Sequence, residues 1–197
     1  MTLLRRSSVA AAAVAVSYLV CAQVQAKPVV QVFNTAITEA EVDQIQQGWC
    51  DGLLAISAAY QNGGYDAARA KAVAVIDAAY AFNYGPVAFK PTYGTGAGTF
   101  RSTRDGALAY FVGPDPSIPL FRNKKLGFAT YRHWVKCVIK DDVVQLFGNT
   151  ANTMGQVILT DSNGQTAEPE KTWTFLREID GSVRIVLHHS SAPFDAR

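Results

Sequence analysis

The spacing of apolar residues changes once along this chain, and that single change leaves few folds open to it. Between Thr38 and Phe82 the apolar positions recur at three and four residues, the helical pattern. Val42, Ile45, Trp49, Leu53, Ile56 and Tyr60 make one stripe, Thr38 followed by Glu41 reads as a capping box, and Gly63-Gly64 supplies a stop. "YDAARAKAVAVIDAAYAF" then predicts a second helix with a broad apolar side. From Phe128 the pattern becomes that of strands: "FATYRHWVKCVI", "DVVQLFGNT", "NTMGQVILTD", "KTWTFLREID" and "SVRIVLHHSS". The turn signals "KDD", "DSNGQ" and "DGS" separate them. In between lie a short strand, "VAFKPT", interrupted by Pro91, a glycine-rich loop, "YGTGAGTF", and a third helix, "TRDGALAYFVG", capped by Thr103. Helices first and an antiparallel meander afterwards is an α+β fold, in which the helices cover one face of a curved antiparallel sheet. The glycine-rich loop has no lysine where a phosphate loop needs one, so it reads as turn geometry.

The first 26 residues have the layout of a secretory signal peptide: Arg5 and Arg6, an apolar run from Val9 to Val20, and small residues up to a cleavage point after Ala26. The apolar run is too short to span a bilayer. One domain over residues 27–197 in the periplasm or outside the cell is the expectation. Removing the two leader arginines brings the 18 lysines and arginines level with the 16 acidic residues. A balanced chain of this kind offers no basic face for nucleic acid or for an anionic membrane. Export permits disulfides. Cys50 and Cys137 remain after cleavage, and a single bridge and two buried thiols both fit their apolar settings.

The last strand ends in His188, His189, Ser190 and Ser191. Side chains alternate between faces along a strand, so His188 and Ser190 share one side and His189 and Ser191 the other. The second set continues upstream as Leu187, Ile185 and Val183, all apolar, and parity therefore places His189 and Ser191 inside, with His188 and Ser190 as the second choice. A strand end that merely carries hydrogen-bonded polar residues is the alternative. Zinc would need all three histidines, His133 included, and adjacent strand histidines cannot both reach one ion.

"FKPT" at 89–92, "FRSTRDGALAYFVG" at 100–113, "GNTANTMGQVILTD" at 148–161, "KTWTF" at 171–175 and "RIVLHHSS" at 184–191 together resemble the iota class of carbonic anhydrases. The likeness runs from about Thr38 to Pro193. It implies the NTF2-like, SnoaL-like cone shared by nuclear transport factor 2 and the calmodulin-dependent kinase association domain. It also implies reversible hydration of carbon dioxide to bicarbonate and a proton. By that likeness Thr92, Tyr110 and a His/Ser pair of the closing motif line a polar pocket, and parity selects His189 and Ser191. Read alone, Thr92 is a turn residue after a proline and Tyr110 a core aromatic. Some relatives are described as using zinc or manganese; the sparse ligand set here favours the metal-free version, with those two metals as the alternative.

Such chemistry suits the residue types. An imidazole can accept a proton near neutrality, and hydroxyls can donate to oxygens on which charge develops. Two other functions share the fold, because fold alone does not fix function. An isomerase or small-molecule binding protein would want a buried carboxylate base, whereas Asp105, Asp161 and Asp180 sit at turns and helix starts. A non-catalytic oligomeric scaffold would pair subunits through the outer sheet face, around Val143 and Val186, the face through which a homodimer is expected in either case.

Overall fold

A computed structural model describes residues 35–118, 121–122 and 125–194. The expected leader and the extended lead "PVVQVF" lie outside the described residues. Helix α1 runs Glu39–Ala79 as one 41-residue stretch broken at Gly64, whose φ of 69° and ψ of −159° are not helical. The two predicted helices are thus two arms of one kinked rod, and the glycine carries a left-handed φ that other residues resist. The capping box at Thr38 and Glu41 forms as expected.

Strand β1 is Ala88–Lys90, helix α2 is Arg104–Val112, and five strands follow: β2 Trp134–Phe147, β3 Thr150–Asp161, β4 Thr166–Ala167, β5 Glu170–Arg177 and β6 Val183–Ser191. The sheet order is β1-β6-β5-β3-β2, with β4 paired to β3. Two expectations are corrected here. β1 pairs with β6 in parallel, so the sheet is mixed rather than antiparallel throughout. "KDD" is a bulge inside β2, between Asp141 and Val143, rather than a turn between two strands. A bulge keeps the chain extended while bending it, and polar residues mark it much as they mark a turn.

The inner sheet face packs on α1 and α2 around Trp49, Tyr80, Phe89, Phe111, Phe128, Trp134, Trp173 and Phe175, all buried. Each such side chain contributes about 2 kcal/mol by removal from water. Cys50 and Cys137 form a disulfide, with Cα atoms 5.5 Å apart and 87 residues between them in sequence. It fastens α1 to β2, and closing so long a loop contributes about 4 kcal/mol through the unfolded chain. A third helix capped by Thr103 is also present, the Thr103 hydroxyl accepting from the Gly106 amide at 3.1 Å.

Candidate functional site

The last strand does not alternate evenly, and this decides which half of its polar motif faces the helices. Against the neighbouring strand, Thr174 pairs with Leu187 and the next residue, Phe175, pairs with Ile185. Val186 is therefore an extra residue, a bulge that reverses parity beyond it. Ile185 stays inside and so do His188 and Ser190, at 1% and 0% exposure. The placement of His189 and Ser191 inside is corrected: His189 is exposed, and Ser191, half-buried, donates to Glu170 at 2.8 Å on the outer face. His189 and Ser191 border an outer groove of about 690 Å³ together with Met154, Gln156 and Thr172.

Two rows of cross-strand neighbours build the inner site. Phe89, His188, Trp173 and Thr153 lie side by side across β1, β6, β5 and β3, and the next row holds Ser190, Lys171 and Gly155. The hydroxyls of Thr92 and Ser190 are 2.6 Å apart, and either can donate. Thr92 sits just past β1, where Pro91 ends the strand, and is half-buried. Lys90 donates to the Ser190 carbonyl at 2.8 Å and fastens this corner.

Tyr110 reaches the site from α2, with its ring stacked on Phe128 at 5.4 Å and edge-on to Phe89 at 5.7 Å. Its hydroxyl is buried and has no hydrogen bond of ordinary geometry. Thr92 lies close enough to act on it. Burial pushes this phenol well above its usual range, and Thr92 offsets only part of that.

His188 is held on every side. Phe89 stacks on it at 4.7 Å and Trp49 meets it edge-on at 5.7 Å. Its Nδ1 lies 2.8 Å from the Tyr80 hydroxyl, which in turn accepts from the Trp49 indole at 3.0 Å. Its Nε2 lies 3.1 Å from Lys171 Nζ. Burial, and then Lys171 and His189, hold this imidazole well below its usual range, so it is neutral at physiological pH.

The sequence reading missed Tyr80 and Lys171. Lys171 is 4% exposed, and a signal for it existed: in "KTWTF" it shares parity with Trp173 and Phe175, two obvious core aromatics. Tyr80 had none, since it falls at the C-terminal end of an alanine-rich helix. Among the described residues, the buried carboxylates are all committed elsewhere: Asp115 to Arg101 and Ser117, Asp161 to the amides of Asn163 and Gln165, and Glu178 to Arg184. None is the free base an isomerase needs. Among the described residues, no group of three or more His, Cys, Asp or Glu side chains is arranged to hold a metal ion.

Comparisons with known proteins converge. Residues 40–192 match the family described as metal-independent carbonic anhydrase. A metal-independent carbonic anhydrase of Nostoc sp. is 47% identical over 164 residues, which are 83% of this chain and 78% of that protein. The crystal structure of a cyanobacterial iota-carbonic anhydrase complexed with bicarbonate superposes with a TM-score of 0.78 at 46% identity, covering 85% of this chain and 99% of that one. A putative calcium/calmodulin-dependent protein kinase II association domain from Xanthomonas campestris, at 21% identity and a TM-score of 0.51, covers 85% of this chain and all of its own, and shares the fold.

Proposed function

The chain belongs to the metal-independent carbonic anhydrase family and is a carbonic anhydrase, and we propose that Thr92, Tyr110 and Ser190 carry the reversible hydration of carbon dioxide, with His188 anchoring in the core the strand that presents Ser190. The observation that carries this assignment is the buried Tyr110 hydroxyl without a bond, beside the joined hydroxyls of Thr92 and Ser190. A buried hydroxyl left unpaired costs about 1–3 kcal/mol, and a substrate oxygen placed among the three alcohols removes that cost.

The reaction needs two things from the protein. As a water lone pair forms the new C–O bond, a π pair of carbon dioxide moves onto oxygen, and donors already in place stabilise that charge without reorganising. The Tyr110 hydroxyl is the free donor, and burial keeps it protonated. The attacking water must also lose a proton. Both ring nitrogens of His188 are engaged, so His188 does not take that proton unaided. The Thr92–Ser190 pair passes it on without either oxygen becoming charged, since each hydroxyl accepts one hydrogen as it gives another, and half-buried Thr92 leads to solvent.

Metal independence accords with the family. Stopped-flow hydration of carbon dioxide in a pH-indicator buffer tests the function. The purified protein, stripped by chelator and checked by elemental analysis, should keep its rate within about twofold, as membership of a metal-independent family implies. Loss of activity on stripping, restored by zinc or manganese, would overturn this.

Two further readings belong with the function. The leader pattern of residues 1–26 and the Cys50–Cys137 bridge support export to an oxidising compartment. Across the outer sheet face, Val143, Met154, Thr172 and His189 form one row with Val138 nearby, and Val143, Met154 and Val138 are exposed apolar residues suited to meeting a second copy of the chain. A periplasmic fraction whose N-terminus is Lys27, sedimenting as a dimer that Met154→Lys dissociates, is the expected result. A cytoplasmic, full-length monomer would refute both.

A further inference from the structure

The hydrogen-bond chain through the buried core assigns a protonation state to Lys171. An indole N–H can only donate, so Trp49 gives its hydrogen to the Tyr80 oxygen. Tyr80 is itself buried, and among the described residues the remaining partner for its own hydrogen is His188 Nδ1, 2.8 Å away. The reverse, Nδ1–H donating to Tyr80, would leave a buried phenol hydrogen with nothing to meet, which is costly. Nδ1 is therefore an acceptor, and a neutral imidazole then carries its hydrogen on Nε2. That hydrogen points at Lys171 Nζ, 3.1 Å away. An ammonium has three donors and no lone pair, so it cannot accept. An amine can.

We propose that Lys171 works as a neutral amine, and that it is the positioning residue which holds His188 as the Nε2–H tautomer inside the carbonic anhydrase site. The surroundings agree with this. None of the ion pairs among the described residues includes Lys171. Its nitrogen lies 4.9 Å from the centre of the Trp49 ring and 5.7 Å from that of Phe128, two faces that attract a cation but offset its desolvation less than a paired carboxylate would. Directly across the sheet on one side is Ser190, and on the other is Gly155, which has no side chain to crowd it. Burial, and then the charge on Lys90, draw the lysine down to about 7 from its ordinary alkaline value.

The titratable groups around Lys171 are His188 on β6 with Tyr80 beyond it at the end of α1, Lys90 on β1, and, along the outer groove that Lys171 also borders, Lys140, Asp141, Asp142, Glu170 and His189. The carboxylates lie along that groove, whereas the nitrogen points the other way, to the imidazole. Protonating Lys171 would set an ammonium against Nε2–H, donor against donor. The pair would separate and loosen the strand that presents Ser190. The active form is then the one with Lys171 uncharged.

This inference rests on the site assigned above but is tested apart from it. In protein labelled with 15N at lysine Nζ, one lysine should titrate near neutrality, and His188 should show the Nε2–H tautomer above that point. In turnover, the usual order of substitutions inverts. Lys171→Met, apolar and close in shape, should retain about a tenth of kcat and lose the ionisation from its pH profile, whereas Lys171→Arg, which cannot be neutral, should fall at least about another tenfold. A lysine signal that stays ammonium up to pH 10, or an arginine variant with wild-type rate and pH profile, overturns the proposal. The nuclear resonance readout stands even if both variants fail to fold. Should Ser190 prove dispensable while Lys171 titrates as stated, the site assignment falls and the amine does not.

Discussion

Ser190→Ala is expected to lower kcat/KM for carbon dioxide hydration about 100-fold, while Ser191→Ala leaves it within about twofold. The two serines are neighbours of one type on one strand, so the comparison isolates which face they occupy. Ser190 is fully buried and joined to Thr92 at 2.6 Å, whereas Ser191 binds Glu170 on the outer face. Thr92→Val should cost a similar factor. The double variant should be little worse than either single one, because the two hydroxyls act as one unit and residues that act as one unit are not additive. Stopped-flow rates at fixed pH decide it. Equal harm from the two serine variants would mean that the inner pair is not the working pair.

The second large effect is on stability as a function of pH. Lys171 and His188 are bases whose values in the folded protein are depressed, the first to about 7 and the second well below 6.5, with burial the leading cause in both. As pH falls, the unfolded chain takes up protons before the folded one does, so folding stability falls too. Lys171 contributes its loss between about pH 10 and 7, and His188 below about 6.5, each with a slope approaching 1.4 kcal/mol per pH unit. Urea midpoints should decline steadily from pH 8.5 to 7.5 in the wild type, below the range in which the raised Tyr80, Tyr110 and Tyr131 oppose the lysine, and be nearly flat there in Lys171→Met, with the acid limb below 6.5 kept. A wild-type midpoint that is level from pH 8.5 to 7.5 would refute the depressed lysine.

Local chemistry in the chain made most of the scaffold readable. Thr38 and Glu41 cap a helix for reasons confined to four residues, Thr103 does the same, and Gly64 breaks the first rod because only glycine is at ease with its φ. Thr92 and Tyr110 entered through the family resemblance of "FKPT" and "ALAY", since position alone reads them as a turn residue and a core aromatic. What could not be read was set by partners distant in sequence. Val186 bulges because of how β6 meets β5, and nothing in "RIVLHHSS" announces it. The parallel pairing of β1 with β6 depends on a strand of three residues finding one almost a hundred positions later. The burial of Lys171 was signalled by its parity with Trp173 and Phe175, but its contact with His188 depends on a neighbouring strand.

The bulge at Val186 acts on a doubled motif, and the doubling changes what a slip would do. If pairing slid by one residue, so that Val186 fell into line, the inward positions would pass from His188 and Ser190 to His189 and Ser191. Like would replace like. A repeated imidazole and a repeated alcohol make the end of this strand forgiving of a misstep that would otherwise swap a working group for hydrocarbon.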